Sequence, residues 1–334
     1  MFIEKECENT IEKQLRQYKN KFAFNESLVI ETYVVGSKKQ GESIVIIIKA
    51  DAKVCFSGVV DSCKNQCFDK VKDILAFNHI KELDFICWSH PDLDHSYGID
   101  DFIKDYSSER TNIWFPEGLE NSNQDYCKKS VDILKQVKKY CINKHINIDS
   151  ISDNKNLMYY NSICFIKDSC DLYPLEIKSF APSSRILRME NYTDSLIKNN
   201  QSIFFELFLG KAKIWFTGDV LNQTLQVIKD AFDKEQNIHI LKIPHHGSTG
   251  SCEIMVLFDK CDVACSTVYR VGNNNLPNAE TMELYKKKSE NLYCTGHKDC
   301  MSEKENFGVV KIVTNVIQEE YKIETEGNAT KWLF

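Results

Sequence analysis

The sequence lacks long hydrophobic runs, and its first residues lack the features of an export signal. The longest apolar run lies in "SIVIIIKA" (43–50), far short of the roughly 20 apolar residues that a membrane span requires. Residues 1–21 show no positive flank followed by an apolar segment, so we expect no signal peptide. These absences predict a cytoplasmic protein that makes no use of a membrane.

Cysteine pairs spaced as CxxC and an excess of positive charge are also absent. Several of the 14 cysteines lie inside strand-like apolar runs, so buried free thiols explain them best, with a cysteine zinc site as the alternative. The net charge of −6 argues against a protein that binds nucleic acid through bulk charge. It does not argue against a nuclease in which metal ions hold the phosphate.

No internal repeat or low-complexity tract interrupts the pattern of strands and helices. Residues 69–82 and 221–234 have the apolar spacing of helices. Runs rich in β-branched residues predict strands in two batches, at 28–36, 43–50, 53–61 and 83–89, and then at 202–210, 212–220, 238–244, 308–314 and 319–325. Two batches of strands mixed with helices predict an α/β fold, a four-layer αββα sandwich with two packed sheets inside.

The sequence predicts one large domain at 28–334, preceded by an accessory helix at 1–27. Residues 101–195 are less regular, and we interpret them as an insertion that forms part of the substrate entrance. Within them, residues 125–144 form an amphipathic pattern. A solvated face explains the lysines of this helix, and a surface that faces phosphate is the alternative; they are Lys128, Lys135, Lys138 and Lys139.

Four polar loops at the ends of strand candidates carry the chemistry. Three of them, "NNQS" (199–202), "TGD" (217–219) and "PHHGS" (244–248), are ordinary turns or surface loops when each is considered alone. The fourth, "HPDLDH" (90–95), places two imidazoles and two carboxylates within six residues. Such groups repel one another or need costly desolvation unless a cation binds them. Together the loops predict a metal site.

The residue types in these loops suit a pair of divalent ions. Mixed imidazole and carboxylate ligands accept Zn²⁺, Mn²⁺ or iron and do not choose among them. A shared carboxylate holds two ions about 3.5–4 Å apart, where they activate a water as the nucleophile. We therefore expect two divalent ions, Zn²⁺ or Mn²⁺, at these loops.

The loops resemble the metallo-β-lactamase fold superfamily, whose signature HxHxDH stands here as HxDxDH. With "NNQS", "WFTGD" and "LKIPHHGS", the chain is most similar to the soluble domain of bacterial DNA-uptake competence proteins of the ComEC type and their stand-alone relatives. The similarity runs from about residue 28 to 300 and includes "QGESIVIII", "VVDS" and "STVYRVGNNNLP". It implies the same αββα fold.

The resemblance also implies ligands. His90 and Asp92 would bind one ion, Asp94 and His95 the other, and Asp219 would bridge them. Either His245 or His246 would complete the second site. Asn199 stands near the place where many relatives supply another histidine, and Asp61 would steady the loop from behind.

The remaining implied roles concern catalysis and the substrate. The catalytic residues would be Asp94, Asp219 and His246. Ser248 and Asn274 would face the substrate. Relatives usually carry His-Pro where this chain has Leu276-Pro277, and His297 would fill that space, an ordinary surface histidine being the alternative.

These features predict a metal-dependent hydrolase that cleaves phosphodiesters, with DNA or RNA as the first substrate. One alternative is a small phosphodiester or nucleotide signal. Another is a non-catalytic subunit that binds a protein encoded beside it, as in bacterial antiviral defence operons.

Overall fold

The computed structural model describes residues 15–16, 18–119, 126–157, 162–167, 171–193, 198–232, 236–296 and 306–333. Its strands form two sheets. The eight-stranded sheet contains, in spatial order, β16 (Glu320–Gly327), β15 (Phe307–Asn315), β2 (Leu28–Ser37), β3 (Glu42–Ala50), β4 (Lys53–Val60), β5 (Phe85–Cys87), β6 (Asn112–Pro116) and β7 (Ile148–Ile151).

The nine-stranded sheet packs face to face against the eight-stranded sheet across a shared apolar core. Its order is β1 (Asn20–Phe24), β8 (Ser162–Ile166), β9 (Leu172–Ala181), β10 (Phe204–Leu209), β11 (Ala212–Phe216), β12 (Asn237–Lys242), β13 (Lys260–Ser266), β14 (Ser289–Cys294) and β17 (Thr330–Lys331). The described α-helices are α1 (Gln66–Phe77), α2 (Leu93–Ser96), α3 (Ile99–Tyr106), α4 (Lys128–Lys144), α5 (Ser184–Thr193), α6 (Asn222–Ile228) and α7 (Ala279–Lys288).

Strand β3 shows why the central strands are apolar on both sides. Its Ile44 and Ile46 join the core between the two sheets, whereas Val45 and Ile47 join the core beneath the outer helices. Successive side chains of a strand point to opposite faces, so a strand covered on both faces reads as a continuous apolar run. The run "SIVIIIKA" is therefore a central strand between two layers.

Three apolar cores separate four layers. One core fills the space between the sheets. A second packs α1, α3 and α4 against the eight-stranded sheet. The third packs α6 and α7 against the nine-stranded sheet. This arrangement confirms the predicted αββα sandwich.

Residues 101–195 differ from the predicted insertion. They contribute β6 and β7 to one sheet and β8 and β9 to the other, so they carry the chain from the first sheet to the second. Strands β6 to β8 are only four or five residues long, too short for an alternating pattern to stand out.

The predicted accessory helix at 1–27 also differs where it can be compared. Residues 1–14 and 17 lie outside the described part, and Asn20–Phe24 is a strand that pairs in parallel with β8. Burial alternates along "NKFAF", and Phe24 enters the core between the sheets. Tertiary pairing therefore decides the structure of this segment.

Helix α1 begins and ends earlier than the predicted 69–82. The side chain of Asn65 accepts a hydrogen bond from the backbone N–H of Cys67 and caps the helix. The helix ends at Phe77, and His79 has a left-handed backbone conformation with φ 56°.

The described cysteines are free thiols, most of them buried, as predicted. No described helix is both long and apolar enough to cross a membrane.

Candidate metal centre

Three of the polar loops meet because each follows a strand at the same end of its sheet, and the fourth, at 199–202, precedes β10. Strands β4 and β5 are parallel neighbours, so Asp61 after β4 lies beside the 90–95 loop after β5. Strands β11 and β12 are likewise parallel, which places Asp219 beside His245 and His246. The cluster therefore takes side chains from both sheets, at the carboxyl ends of parallel strands.

The His-His-Gly turn has an unusual backbone. His245, His246 and Gly247 have φ values of 47°, 51° and 78°. Left-handed conformations are uncommon for residues other than glycine and cost on the order of 1–3 kcal/mol when the surroundings enforce them. At position 247 a Cβ would also lie 2.8 Å from the Cβ of Pro277, so only glycine fits. The turn directs both imidazoles toward the other loops.

Asp219 lies at the centre of the cluster. Its carboxylate oxygens are 3.7 Å from His90 Nε2, 3.5 Å from His95 Nε2 and 3.6 Å from His246 Nε2. Asp94 Oδ2 lies 3.2 Å from His246 Nε2 and 3.6 Å from His95 Nε2. The structure thus brings Asp94, His95 and His246 together around one side of Asp219.

A second group lies on the other side of Asp219. His90 Nε2 is 3.8 Å from Asp92 Oδ2. His245 is further out, with its Nε2 3.3 Å from the Nδ2 of Asn199. Of the two adjacent histidines, His246 therefore stands with the Asp94 group, and His245 contacts Asn199 instead.

Buried atoms without a hydrogen-bond partner test whether a cation fits. Among the described residues, His90 Nε2, Asp94 Oδ2, Asp219 Oδ1 and His245 Nδ1 are such atoms. Buried polar atoms almost always have partners, and an unpartnered group calls for an explanation such as an ion. Four of them in one cluster of imidazoles and carboxylates match the donor set of divalent transition metals. The residues fit a metal centre.

Hydrogen bonds behind the cluster fix which nitrogen faces it. Asp61 accepts from the backbone N–H of Ser89 at 2.7 Å and from its hydroxyl at 2.6 Å, and it lies 2.8 Å from His95 Nδ1. Because the Ser89 hydroxyl donates to Asp61, its oxygen accepts from His90 Nδ1 at 3.0 Å. Both histidines therefore carry a proton on Nδ1, and their Nε2 atoms point into the cluster.

The pKa shifts show how the charges of the cluster are balanced when no metal is bound. Burial alone would raise the pKa of Asp94, but the charges of His95 and His246 outweigh it and bring that pKa to about 2. Burial opposes protonation of His95, yet Asp219 and Asp94 hold its pKa well above the usual value. Burial and the charge of His95 lower the pKa of His90 to about 3. Without metal, a proton on His95 thus offsets the carboxylates.

A pocket of about 520 Å³ opens onto the cluster. Of the predicted substrate residues, Asn274 lines this pocket. Ser248 is not among the lining residues, because its hydroxyl accepts from the N–H of Gly250 and caps the 3₁₀ helix Thr249–Val256. His297 lies outside the described residues.

The sequence did not single out several residues that surround the site. Lys198 lines the pocket, with its Nζ 3.9 Å from Asp92. Glu42 and Thr267 lie behind His246, and Lys242 pairs with Glu42. The available signal was a lysine inside the apolar strand pattern "IHILKIP", since lysine is almost never fully buried without a partner, and Lys242 is 1% exposed.

Comparison with models of protein families gives no match, and comparison with curated proteins gives none either. Among solved structures, the chain is similar to CmlA, a diiron β-hydroxylase from Streptomyces venezuelae, at 12% identity over 72% of this chain and 44% of that one, with a TM-score of 0.40. It is also similar to a diphosphatase of the PhnP family, at 12% identity over 79% of this chain and 85% of that one, with a TM-score of 0.39. A third similar structure is the Rm3 metallo-β-lactamase, at 9% identity over 66% of this chain and 76% of that one, with a TM-score of 0.36.

The chain spans less than half the length of CmlA. The neighbours include a metallo-β-lactamase and other enzymes, but at these identities and TM-scores they carry no conclusion about activity. The resemblance to the competence proteins stays a prediction from the sequence motifs.

Proposed function

We propose that this protein is a metal-dependent hydrolase that cleaves phosphodiesters. Three buried, unpartnered ligand-type atoms, on Asp94, Asp219 and His245, belong to residues that line an open pocket, and this convergence carries the proposal. Structural metal sites are usually closed by protein ligands, whereas catalytic sites keep a position open to solvent. A buried donor cluster that opens onto a pocket of substrate size therefore supports catalysis.

Two groups of side chains would hold two divalent ions. Asp94, His95 and His246 would hold one, His90 and Asp92 the other, and Asp219 would serve both. Bound ions would supply Lewis acidity, which lowers the pKa of water and offsets charge on the oxygens of an in-line phosphoryl displacement.

The chain's own contribution to substrate binding centres on Lys198. Among the described residues that line the pocket, it is the only lysine or arginine. Its side chain is about one third exposed and lies beside Asp92, so it can donate to a phosphate oxygen at the edge of the cluster. Tyr269, stacked on His246 with ring centroids 5.5 Å apart, forms an aromatic wall of the same pocket.

The pocket favours a small phosphodiester over long nucleic acid. Nucleic-acid binding draws its affinity from many phosphate contacts, and one cation supplies few. The lysines of α4 are the only other basic group proposed for this role; α4 packs against α2, which carries Asp94 and His95. They remain available to a longer substrate because Lys128, Lys135 and Lys139 are exposed.

Salt separates the two substrate classes. We expect cleavage of a chromogenic phosphodiester or a dinucleotide to change little between 50 and 200 mM salt. Cleavage of plasmid or single-stranded DNA through the α4 lysines should instead fall by orders of magnitude over about this range. Bound metal without cleavage of any phosphodiester would favour the alternative role, a subunit that binds a partner protein.

We expect the purified protein to bind about two equivalents of Zn²⁺ or Mn²⁺ and to release protons as it does so. Because the pKa of His95 is raised in the metal-free cluster, its Nε2 proton must leave before a metal binds. Apparent affinity should therefore fall as the pH is lowered through that raised pKa. Elemental analysis gives the stoichiometry, and a pH indicator in weak buffer counts the protons. Absence of metal uptake at neutral pH would contradict the proposed function.

Replacement of Lys198 tests the substrate anchor. Lys198→Met should raise KM for a phosphodiester at least about tenfold with a smaller change in kcat, since a hydrogen bond to a charged group contributes about 1.5–3 kcal/mol. Lys198→Arg should retain most of the binding. Lys211→Met is the matched control, because Lys211 pairs with Glu319 on the surface outside the pocket. An unchanged KM in Lys198→Met would remove Lys198 from the substrate site.

A further inference from the structure

We infer that Thr267 and Glu42 position His246 and fix the nitrogen that it presents to the metal, and that Lys242 holds Glu42 in place. The inference rests on the proposed metal centre but concerns residues outside the expected ligand set. Its observation is a chain of short contacts that starts on the far side of the His246 ring and ends at a buried ion pair.

The contacts connect four side chains in the order His246, Thr267, Glu42 and Lys242. His246 Nδ1 lies 2.8 Å from the hydroxyl oxygen of Thr267. The same oxygen lies 2.6 Å from Glu42 Oε2. Lys242 Nζ lies 2.7 Å from that carboxylate oxygen. All four side chains are almost completely buried, so water does not compete for these bonds.

Donor and acceptor chemistry then places the proton. An ionised carboxylate only accepts, so the Thr267 hydroxyl must donate its hydrogen to Glu42. Its lone pair is left to accept from His246, which places the imidazole proton on Nδ1. Nε2 of His246 consequently presents a lone pair, and that nitrogen is the one facing Asp94 and Asp219.

The ion pair keeps the carboxylate charged and joins the two sheets. Glu42 begins β3 in one sheet, and Lys242 ends β12 in the other, separated by Ile243 from the turn Pro244–Gly247 that contains both histidines. Each side chain is only 1% exposed. A buried lysine or glutamate loses its charge unless it is paired, so each member maintains the other. Lys242 also donates to the carbonyl of Ile243 at 2.9 Å, which ties the pair to the start of the turn.

Glu42 also lies close enough to be considered a ligand itself. It forms a cluster with His95 and His246 in which one potential ligand atom from each residue lies within 4.8 Å of the others. Its Oε1 is buried without a hydrogen-bond partner. However, its Oε2 contacts Thr267 and Lys242, and the His246 nitrogen nearest to that oxygen, at 3.8 Å, is Nδ1, on the side away from Asp94. A supporting role behind His246 therefore fits the contacts better than direct ligation.

The test compares three proteins, the wild type, Thr267→Val and Thr267→Ser, by Zn²⁺ titration against a chromophoric chelator. Valine keeps the shape of threonine without the hydroxyl, and serine keeps the hydroxyl. We expect Thr267→Val to bind one of the two ions about 10- to 100-fold more weakly, as is typical when the partner of a ligand histidine is lost, and the other ion almost normally. Thr267→Ser should bind both nearly as the wild type does.

A second readout follows the proton itself. Long-range ¹H–¹⁵N NMR of the metal-free proteins should show His246 with its proton on Nδ1 in the wild type and in Thr267→Ser, and a mixture of tautomers in Thr267→Val. A wild-type His246 protonated on Nε2 alone would overturn the inference whatever the variants do. Should Thr267→Val not fold, Thr267→Ala removes the same hydroxyl with less bulk.

The outcomes separate this inference from the proposed function. A wild-type protein that takes up no Zn²⁺ contradicts the metal centre. Two tightly bound ions in the wild type and equally tight binding in Thr267→Val contradict the role of Thr267. If Thr267→Val binds normally while the double variant Glu42→Gln/Lys242→Met loses one ion, Glu42 is a direct ligand and the positioning role is wrong.

Discussion

Replacing Asp219 with asparagine is expected to lower kcat/KM for any phosphodiester substrate by at least about a thousandfold, a loss of about 4 kcal/mol in transition-state stabilisation. The Asp219 carboxylate lies within 3.7 Å of all three histidines, His90, His95 and His246. An amide has nearly the same shape but lacks the charge that would hold two cations together. Steady-state kinetics with metal analysis of the same sample measures both effects.

Asp219→Asn should leave the fold intact, because Asp219 stands in a loop after β11 rather than in an apolar core. Far-ultraviolet circular dichroism of the metal-free variant checks this. Asp105→Asn is the control: it makes the same change to an aspartate that pairs with Lys72 on the surface. Turnover by Asp219→Asn at the wild-type rate would contradict the assigned role.

Replacing Asp61 with asparagine is expected to weaken the binding of both metal ions and to destabilise the metal-free protein by about 2–4 kcal/mol. The carboxylate is fully buried and supports His95 directly and His90 through Ser89. The NH₂ group of an asparagine at this position can only donate, and it would face a group that itself donates to Asp61 in the wild type. At least one hydrogen bond would therefore be replaced by repulsion between two donors. Chemical denaturation and Zn²⁺ titration measure the two effects.

Asp51→Asn provides a matched control for this change. Asp51 also has a left-handed backbone, with φ 48° against 59° for Asp61, and its carboxylate accepts three main-chain N–H groups and the side-chain amide of Asn25. It lies on the surface away from the pocket, so its replacement should leave metal binding unchanged. Equal metal affinity in Asp61→Asn and the wild type would show that Asp61 does not orient the two histidines.

The sequence was sufficient to predict the four layers of the fold because central strands give a strong local pattern of apolar residues. The runs at 28–36 and 43–50 correspond to β2 and β3, whose side chains are buried on both faces. The short strands β6 to β8 leave no such signal, and their place is decided by pairing with strands distant in the chain. Residues 101–195 therefore looked like an insertion although they complete both sheets.

The same distinction applies to the site. The loop "HPDLDH" concentrates four ligand-type residues within a short stretch, so it could be found without a structure. The contact between Glu42 and Lys242 joins residues 200 positions apart, and neither strand alone indicates which residue its charged side chain pairs with. The choice between His245 and His246 likewise depends on the left-handed turn, which "HHG" alone does not specify.

The cluster combines segments of the chain that are synthesised at very different times during translation. The 90–95 loop lies in the first third of the sequence, whereas Asp219, His246 and Thr267 follow more than a hundred residues later. Long-range contacts of this kind form late in folding, because loop closure must occur before they stabilise the chain. A nascent chain therefore carries four of the six proposed ligands with nothing opposite them, and the complete centre can exist only after the second sheet has docked onto the first.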